Sequence, residues 1–347
     1  MDKREWLERN QVFVYGVALL VGLTAGLLSE PFGHIVEAWI SPLLAVLLYG
    51  MFTLIPFLKL REALADGRFM VALLLTNFVL VPVAVGGLLR LFPQPEAVAI
   101  GVCLVLLTPC IDYVIVFTAL GKGDAKAMTA ATPVLFVAQM ALLPLYLRLF
   151  AGDAAAGLMQ IGPFIEAFLL LIALPLAAAI LTQLWAKRGE ASANGADAPS
   201  TVGPAESTEP ARSAPDSVGT RVLEAAAWLP VPFMALVLVA VTASQIGRIA
   251  DDPLPVLNVL PIYMLFMIVM PLIARTVGRL LRLDVGRGRA LIFSSFTRNS
   301  LVVLPLALVL PGEAAGTAAA VIVAQTMIEL IGELVYVRVV PKRLWRG

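Results

Sequence analysis

Residues 97–120 read AVAIGVCLVLLTPCIDYVIVFTAL, an apolar run that is long enough to cross the hydrocarbon core of a bilayer as a helix. Pro109 interrupts this run near its middle, because proline cannot donate a backbone hydrogen bond and disfavours helical geometry at Thr108. Carbonyl groups freed in this way are tolerated at membrane depth only where they are buried in protein or line a water-filled cavity. The stretch therefore predicts a membrane-spanning helix that is broken at a polar site.

The composition of the whole chain agrees with a membrane protein. The 347 residues are 60% hydrophobic and 14% charged, and their mean hydropathy is +0.92. A soluble domain carries roughly 25% charged residues, so water is excluded as the solvent for most of this chain. Apolar runs such as 71–75 and 167–174 do not alternate with polar residues as barrel strands do. We therefore expect an all-α membrane protein.

The apolar segments divide into ten predicted transmembrane helices. They are 11–28, 39–58, 69–91, 97–120, 127–150, 160–185, 225–247, 256–281, 288–309 and 314–338. With the N-terminus inside, 21 of the 25 Lys and Arg residues fall in inside segments, 3 fall outside, and Arg298 lies within a span. Basic residues concentrate on the cytoplasmic side of membrane proteins, so this distribution predicts ten spans with both termini cytoplasmic. The expected location is a bacterial inner membrane, in contact with lipid.

One long hydrophilic segment divides the chain. Residues 187–221 are rich in Ala, Ser, Pro, Gly and Glu and show no apolar periodicity, which is typical of a flexible linker. The predicted organisation is six transmembrane helices in 1–186, a cytoplasmic linker at 187–221 and four transmembrane helices in 222–347. We interpret the linker as a tether, and a regulatory contact is the alternative.

The fourth and ninth predicted spans are both polar in the middle. Residues 108–112 read TPCID, and residues 294–300 read SSFTRNS. Ten spans form two groups of five, and because five is odd, a second copy of a five-span unit inserts upside down relative to the first. The fourth and ninth spans then occupy equivalent positions, which is typical of a substrate site near the membrane midplane of a secondary transporter.

Three ionisable residues lie at a similar depth in three different spans. Counted from the nearest basic residue at the cytoplasmic edge, Asp112, Arg298 and Glu329 are each about 14–15 Å into a span, at 1.5 Å per residue. A charge at that depth is costly, by roughly 3 kcal/mol on insertion scales, and needs a partner or a cavity. We predict an ion pair between Asp112 and Arg298 that gates the substrate path or accepts a coupling proton. A fixed pair that only stabilises the fold is the alternative.

The last span carries a polar face made of Gln325, Glu329 and Glu333, which are spaced four residues apart. Together with Asp112, these side chains are candidates for a proton or ion relay. Two alternatives remain open. The face forms hydrogen bonds to neighbouring spans, or Glu333 by itself extends to the interface or meets Arg338.

Other chemistries find little support in the sequence. His34 is the only histidine and has no Cys or carboxylate cluster at ligand spacing, so no metal site is expected. There is no Gly-rich phosphate loop with Gly-Lys-Ser/Thr, which argues against an ATP-driven pump. We expect no enzyme activity, no cofactor and no nucleic-acid partner. Cys103 and Cys110 are too far apart along one span for a disulfide, and Cys110 is either a soft ligand or a small hydrophobe.

The residues around Pro109 carry a family resemblance. Pro109-Cys110-Ile111 is followed by Val114, Val116 and Leu120, and then by Lys122-Gly123-Asp124-Ala125. This string resembles the fourth span of the arsenite efflux permeases within the bile acid:sodium symporter superfamily. The resemblance implies two inverted five-helix repeats, arranged as a panel and a core, with broken fourth and ninth helices that cross at the binding site. The expected substrate-binding residues are Pro109, Cys110, Asp112, Arg298, Asn299 and Ser300.

The ninth span departs from both branches of that superfamily. Arsenite permeases carry a glutamate after an Asn-Asn pair, and this position is Leu301 here, so our hypothesis is that Asp112 supplies the charge instead. Sodium-coupled members place Glu and Gln ahead of an Asn-Ser pair. Asn299-Ser300 matches, but the preceding positions hold Ser294 and Arg298. A fixed guanidinium repels sodium and can take its place, which favours proton coupling or facilitated exit.

Three functional hypotheses follow. The leading one is a secondary transporter that exports arsenite or a similar small oxyanion, with Cys110 as its thiol contact. The second is a symporter or uniporter of organic anions, in which Arg298 meets a carboxylate or sulfonate. The third is a non-transporting membrane sensor, for which the linker matters more than the midplane.

Overall fold

A computed structural model describes residues 6–7, 10–57, 66–158, 166, 168–196, 218–251 and 253–346. Within these ranges the chain is helical and contains no β-strand, as expected. The helices are α1 (Gln11–Leu28), α2 (Glu30–Leu54), α3 (Gly67–Leu75), α4 (Val81–Leu91), α5 (Glu96–Leu106), α6 (Tyr113–Leu120), α7 (Ala125–Leu158), α8 (Leu174–Ala196), α9 (Val218–Ala226), α10 (Pro230–Asp251), α11 (Leu254–Leu280), α12 (Val285–Phe296), α13 (Ser300–Leu308) and α14 (Glu313–Val339). Short π-helical segments, Thr76–Leu80, Phe168–Ala173 and Val340–Leu344, adjoin α4, α8 and α14.

Seven helical stretches in the described ranges are long and apolar enough to cross a membrane. They are Pro31–Leu54, Gly67–Leu91, Ala125–Phe150, Phe168–Gly189, Val218–Gly247, Leu254–Leu280 and Glu313–Leu344. The other three predicted spans fall on shorter helices: the first on α1, the fourth on α5 and α6, and the ninth on α12 and α13. The chain is therefore a multi-pass α-helical membrane protein, and the arrangement of ten spans as an inverted repeat stays a prediction.

Helix α10 packs closely on α1 and α2 because glycines remove side chains from the contact. A Cβ atom at Gly22 would lie 2.8 Å from the carbonyl oxygen of Val239, and one at Gly26 would lie 2.5 Å from that of Ala243. Such close approach of backbones maximises van der Waals contact, which drives helix association where lipid tails surround the protein. These three helices form one group.

The last helix, α14, lies inside a second group that includes α5, α11 and α13. Residues 318–324 are apolar and all buried, in agreement with a helix segment that is apolar on every side. A Cβ atom at Gly101 of α5 would lie 3.0 Å from the carbonyl oxygen of Ala318, so the two helices are again in backbone contact. This packing fixes the polar face of α14 against the interrupted helices.

The predicted linker at 187–221 is only partly described. Residues 187–196 continue α8, and residues 218–221 belong to α9. Residues 197–217 lie outside the described part of the chain. The division into 1–186, 187–221 and 222–347 therefore stays a prediction.

Candidate functional site

The helix that begins at Glu96 is interrupted where the sequence predicts it. Helix α5 ends at Leu106, and helical geometry resumes only at Tyr113. The Thr108 hydroxyl donates to the carbonyl oxygen of Leu104 at 2.8 Å and so satisfies one acceptor near the end of α5. Pro109 has no N–H to continue the helix, and the N–H of Cys110 donates across to Thr297 at 3.0 Å.

A second interruption separates α12 from α13. Helix α12 ends at Phe296, and the Asn299 side chain caps α13 by accepting a bond from the N–H of Val302 at 3.4 Å. The N–H of Asn299 donates to the carbonyl oxygen of Thr108 at 2.9 Å. The two breaks thus pair their backbones, as an antiparallel bridge between Pro109 and Arg298. This is the meeting of the fourth and ninth predicted spans that the polar motifs indicated.

Arg298 is fully buried, and neutral oxygen atoms surround its guanidinium group. The Nη2 atom donates to Asn77 Oδ1 at 2.8 Å and to the carbonyl oxygen of Ser294, and Nη1 lies 3.3 Å from the carbonyl oxygen of Leu106. Leu106 and Ser294 lie at or near the C-terminal ends of α5 and α12, where helix dipoles favour a positive charge. The ring centroid of Phe266 is 5.6 Å from Arg298 Cζ, close enough for a cation–π interaction.

The predicted ion pair between Asp112 and Arg298 is wrong for this structure. In the described chain the guanidinium has no carboxylate partner within salt-bridge distance, and Asp112 Oδ1 accepts a bond from Cys110 Sγ at 2.7 Å. The physical reason is that the two residues lie in different directions from the backbone bridge. From the backbone bridge the arginine side chain runs back to the end of α5, whereas Asp112 lies beyond the bridge at the start of α6.

Glu329 of α14 joins the bridge from the other side. Its Oε2 atom accepts bonds from the backbone N–H of Arg298 at 2.8 Å and from the side chain of Gln325. The Tyr113 hydroxyl lies 2.7 Å from Glu329 Oε1 and 2.8 Å from the carbonyl oxygen of Arg298. Glu329 thus contacts the backbone of Arg298, and not its guanidinium group, and reaches the first break through Tyr113.

Glu333 is buried one turn further along α14. Its Oε1 atom accepts a bond from the Thr297 hydroxyl, and its side chain is 0% exposed. The alternative in which Glu333 extends to the interface or pairs with Arg338 is therefore wrong, because Thr297 holds the carboxyl group against the second break.

Several polar atoms at the two breaks have no hydrogen-bond partner in the described ranges. They are Arg298 Nε, Asn299 Nδ2, Ser300 Oγ, Gln325 Oε1 and Glu333 Oε2. Buried polar atoms of this kind are normally satisfied by protein or by ordered water. The region where the two breaks cross therefore has hydrogen-bond donors and acceptors that remain for water or for a solute.

A cavity of about 290 Å³ lies between the first break and the group made of α1, α2 and α10. Most of its wall is aliphatic, from residues such as Leu47, Met51, Ile115 and Val231. The polar lining residues are Gln11, Tyr15, Asp112, Tyr113, Thr129 and Thr132. Asp112 keeps some exposure while its neighbours at the break are buried, because it faces this space.

Of the predicted substrate-binding residues, Asp112 lines the cavity. Cys110 contacts Asp112 but is fully buried, and Arg298, Asn299 and Ser300 are buried behind the bridge. The sequence motifs did not indicate Gln11 and Tyr15, which also line the cavity. They are four residues apart in the first span and share one helix face, which is the signal that points to them.

Comparison with known proteins gives one family. The model of the Sodium Bile acid symporter family matches residues 41–201, from α2 through the end of α8. The match includes the first break and Asp112, and it ends before Arg298. No curated protein matches the chain.

Proposed function

We propose that this chain, whose residues 41–201 match the Sodium Bile acid symporter family, is a secondary transporter of that family and binds its solute in the cavity beside Asp112. The observation that carries the proposal is the contact between this cavity and a helix break. At the break Asp112 reaches an apolar space that α1, α2 and α10 close on the opposite side. A space between two groups of helices, at a polar interruption, is the place where rocking of one group against the other exposes a solute to alternate sides of the membrane.

The match to a transporter family agrees with the expectation that the chain is not an enzyme. It also argues against the third hypothesis, a sensor that moves no solute. The fold implied by the resemblance, ten helices in two inverted repeats, remains part of the proposal. Its support is the backbone pairing of the two interrupted helices, which are the fourth and ninth of the predicted spans.

The size and wall of the cavity favour an organic solute. Sites for small organic molecules are mostly apolar clefts of roughly 300–1,000 Å³ with a few convergent polar groups. The cavity here has about 290 Å³, close to the lower end of that range, and Asp112, Tyr15 and Tyr113 are among the few polar residues of its largely aliphatic wall. A solute with an apolar body and one polar head fits this division of the wall.

Export of arsenite is the second candidate, and the contact between Cys110 and Asp112 favours it. Arsenite is an uncharged trihydroxide at neutral pH, so it can bond to a carboxyl group and to a thiol. Expression in an arsenite-sensitive host tests this candidate. Gained resistance that disappears in Cys110→Ser and persists in Cys103→Ser would support it, because Cys103 is equally buried but lies in α5 away from Asp112.

Transport through the cavity can be tested in proteoliposomes with two labelled solutes that share one apolar body. We choose benzyltrimethylammonium and benzylsulfonate, since neither crosses a bilayer readily. Val231→Trp places an indole in the cavity, and Val83→Trp, at a position 67% exposed on α4, is the matched control. We expect uptake of at least one solute, lost in Val231→Trp and kept in Val83→Trp. Equal uptake by both variants, or no uptake of either solute, would reject this proposal.

The location and topology are also proposed. The proposed location is a bacterial inner membrane, and the basic residues predict that both termini and the 187–221 linker lie on its cytoplasmic side. Reporter fusions at the C-terminus and within 197–217 test this orientation. Both must report a cytoplasmic location. An outside location of both would reverse the topology, and opposite locations would contradict the four spans predicted between them.

A further inference from the structure

The cavity beside Asp112 has an unbalanced charge. Among its lining residues in the described chain, Asp112 is the only acid and there is no Lys, Arg or His. An anionic head group would therefore meet a carboxyl group in an apolar space without a positive partner. Such a site disfavours an anion in either protonation state of Asp112. An ionised carboxylate repels the anion, and a protonated acid supplies one hydrogen bond but no positive charge.

Arg298 does not correct this imbalance. Two of its nitrogen atoms are directed to Asn77, Ser294 and Leu106, and the side chain does not line the cavity. A shift toward the cavity would leave these three buried oxygen atoms without a donor, which is costly. The guanidinium group expected to bind an organic anion is thus committed to the protein itself.

Two tyrosines flank the acid in the cavity wall. Tyr15 projects from α1, and Tyr113 follows Asp112 directly at the start of α6. Aromatic rings beside a carboxylate form a common arrangement for ammonium groups, because the ring faces and the acid both attract positive charge. Gln11 Nε2, buried in the same wall and without a partner in the described ranges, offers a hydrogen bond to an oxygen atom elsewhere on a solute.

We propose that the cavity selects an organic cation, with its ammonium head against Asp112, Tyr15 and Tyr113 and its apolar body against the aliphatic wall. This inference rests on the proposed function, because it assigns a charge to the solute of the same cavity. It predicts a positively charged solute, whereas the organic-anion hypothesis predicts a negatively charged one.

Binding to the purified full-length protein in detergent tests the sign of the charge directly. Three probes share the benzyl body: benzyltrimethylammonium, benzyl alcohol and benzylsulfonate. Isothermal titration calorimetry on the unaltered chain should give the highest affinity for the cation, with the sulfonate weakest. This comparison needs no variant, so it does not depend on whether a substitution folds. Tightest binding of the sulfonate, or equal binding of all three probes, would overturn the inference.

Asp112→Asn removes the charge with little change of shape, and Glu96→Gln is the control, at an exposed position on α5 outside the cavity. We expect the affinity for benzyltrimethylammonium to fall about tenfold or more in Asp112→Asn and to stay unchanged in Glu96→Gln. Unchanged affinity in a folded Asp112→Asn protein would reject the assignment.

Failure of this inference and failure of the proposed function remain distinguishable. Uptake of benzylsulfonate through the cavity would support transport through the cavity and reject its selectivity for cations. Binding of the cation without uptake of either solute would support the binding site and reject transport.

Discussion

Pro109 and Arg298 pair backbone to backbone across two interrupted helices, with hydrogen bonds of 3.0 Å from Cys110 to Thr297 and 2.9 Å from Asn299 to Thr108. Each bond satisfies a peptide group that a continuous helix would have satisfied internally, and this is the condition for irregular backbone at membrane depth. The bridge also orients the side chains. It directs Arg298 toward the ends of α5 and α12 and leaves Asp112 facing the cavity.

The first prediction concerns stability. Arg298→Gln leaves the carbonyl oxygens of Leu106 and Ser294 without their guanidinium donor, so we expect a loss of about 2–4 kcal/mol in the free energy of unfolding. The measurement is unfolding by SDS titration in mixed micelles. Arg338→Gln is the control, because Arg338 is exposed on α14, and it should change the midpoint little. Equal midpoints for the two variants would contradict the role assigned to Arg298.

The second prediction is that sodium is not required. The guanidinium of Arg298 already occupies a set of neutral oxygen atoms, Asn77 Oδ1 and two backbone carbonyls, of the kind that binds a hard cation. We therefore expect the same melting temperature in sodium chloride and in choline chloride at equal ionic strength, and the same rate of benzyltrimethylammonium uptake in both salts. A sodium-specific rise in either quantity would count against the account.

The third prediction concerns the relay. The Tyr113 hydroxyl links Glu329 to the carbonyl oxygen of Arg298, and Tyr113 also lines the cavity. If protons pass between Glu329 and the solute site, Tyr113→Phe should lower uptake driven by a pH gradient while it preserves solute exchange, which needs no net proton movement. Glu329→Gln should act in the same way. A parallel loss of exchange and of driven uptake would instead indicate a structural role for this contact.

The fourth prediction is a packing effect at the C-terminal end of the chain. A Cβ atom at Gly288 would lie 2.2 Å from Trp345 Cε2, so Gly288→Ala must displace the indole. We expect a loss of about 1–3 kcal/mol. Gly87→Ala is the matched control, since a Cβ there meets no atom within 4 Å. In a Trp345→Ala background, Gly288→Ala should have little further effect, and a full additive loss would show that the clash lies elsewhere.

The sequence predicted those features that depend on backbone chemistry and on depth. Pro109 placed the first break, the polar run at 294–300 placed the second, and counting residues placed Asp112, Arg298 and Glu329 at one level. It did not predict the partners of Arg298, because depth leaves the rotation of each helix undetermined. Asn77 is a polar residue of the third span that gave no separate signal.

The cavity wall was the least predictable part. Gln11 and Tyr15 lie at the start of the chain, far in sequence from both breaks, and only the packing of α1 against α10 brings them near Asp112. Contacts between distant spans depend on side-chain fit at the interface, such as the glycines of α1. A single sequence carries no direct record of which spans are neighbours.

The central claim is that solute occupies the cavity beside Asp112, and the most direct measurement is a crystal structure with (4-bromobenzyl)trimethylammonium bound. The anomalous signal of bromine locates the apolar end of the probe independently of the protein density. We predict one bromine peak between α2 and α10, among Leu47, Met51 and Val231, with the ammonium head beside Asp112. A bromine peak behind the bridge near Arg298, or on the lipid-facing surface with the cavity empty, would contradict the account.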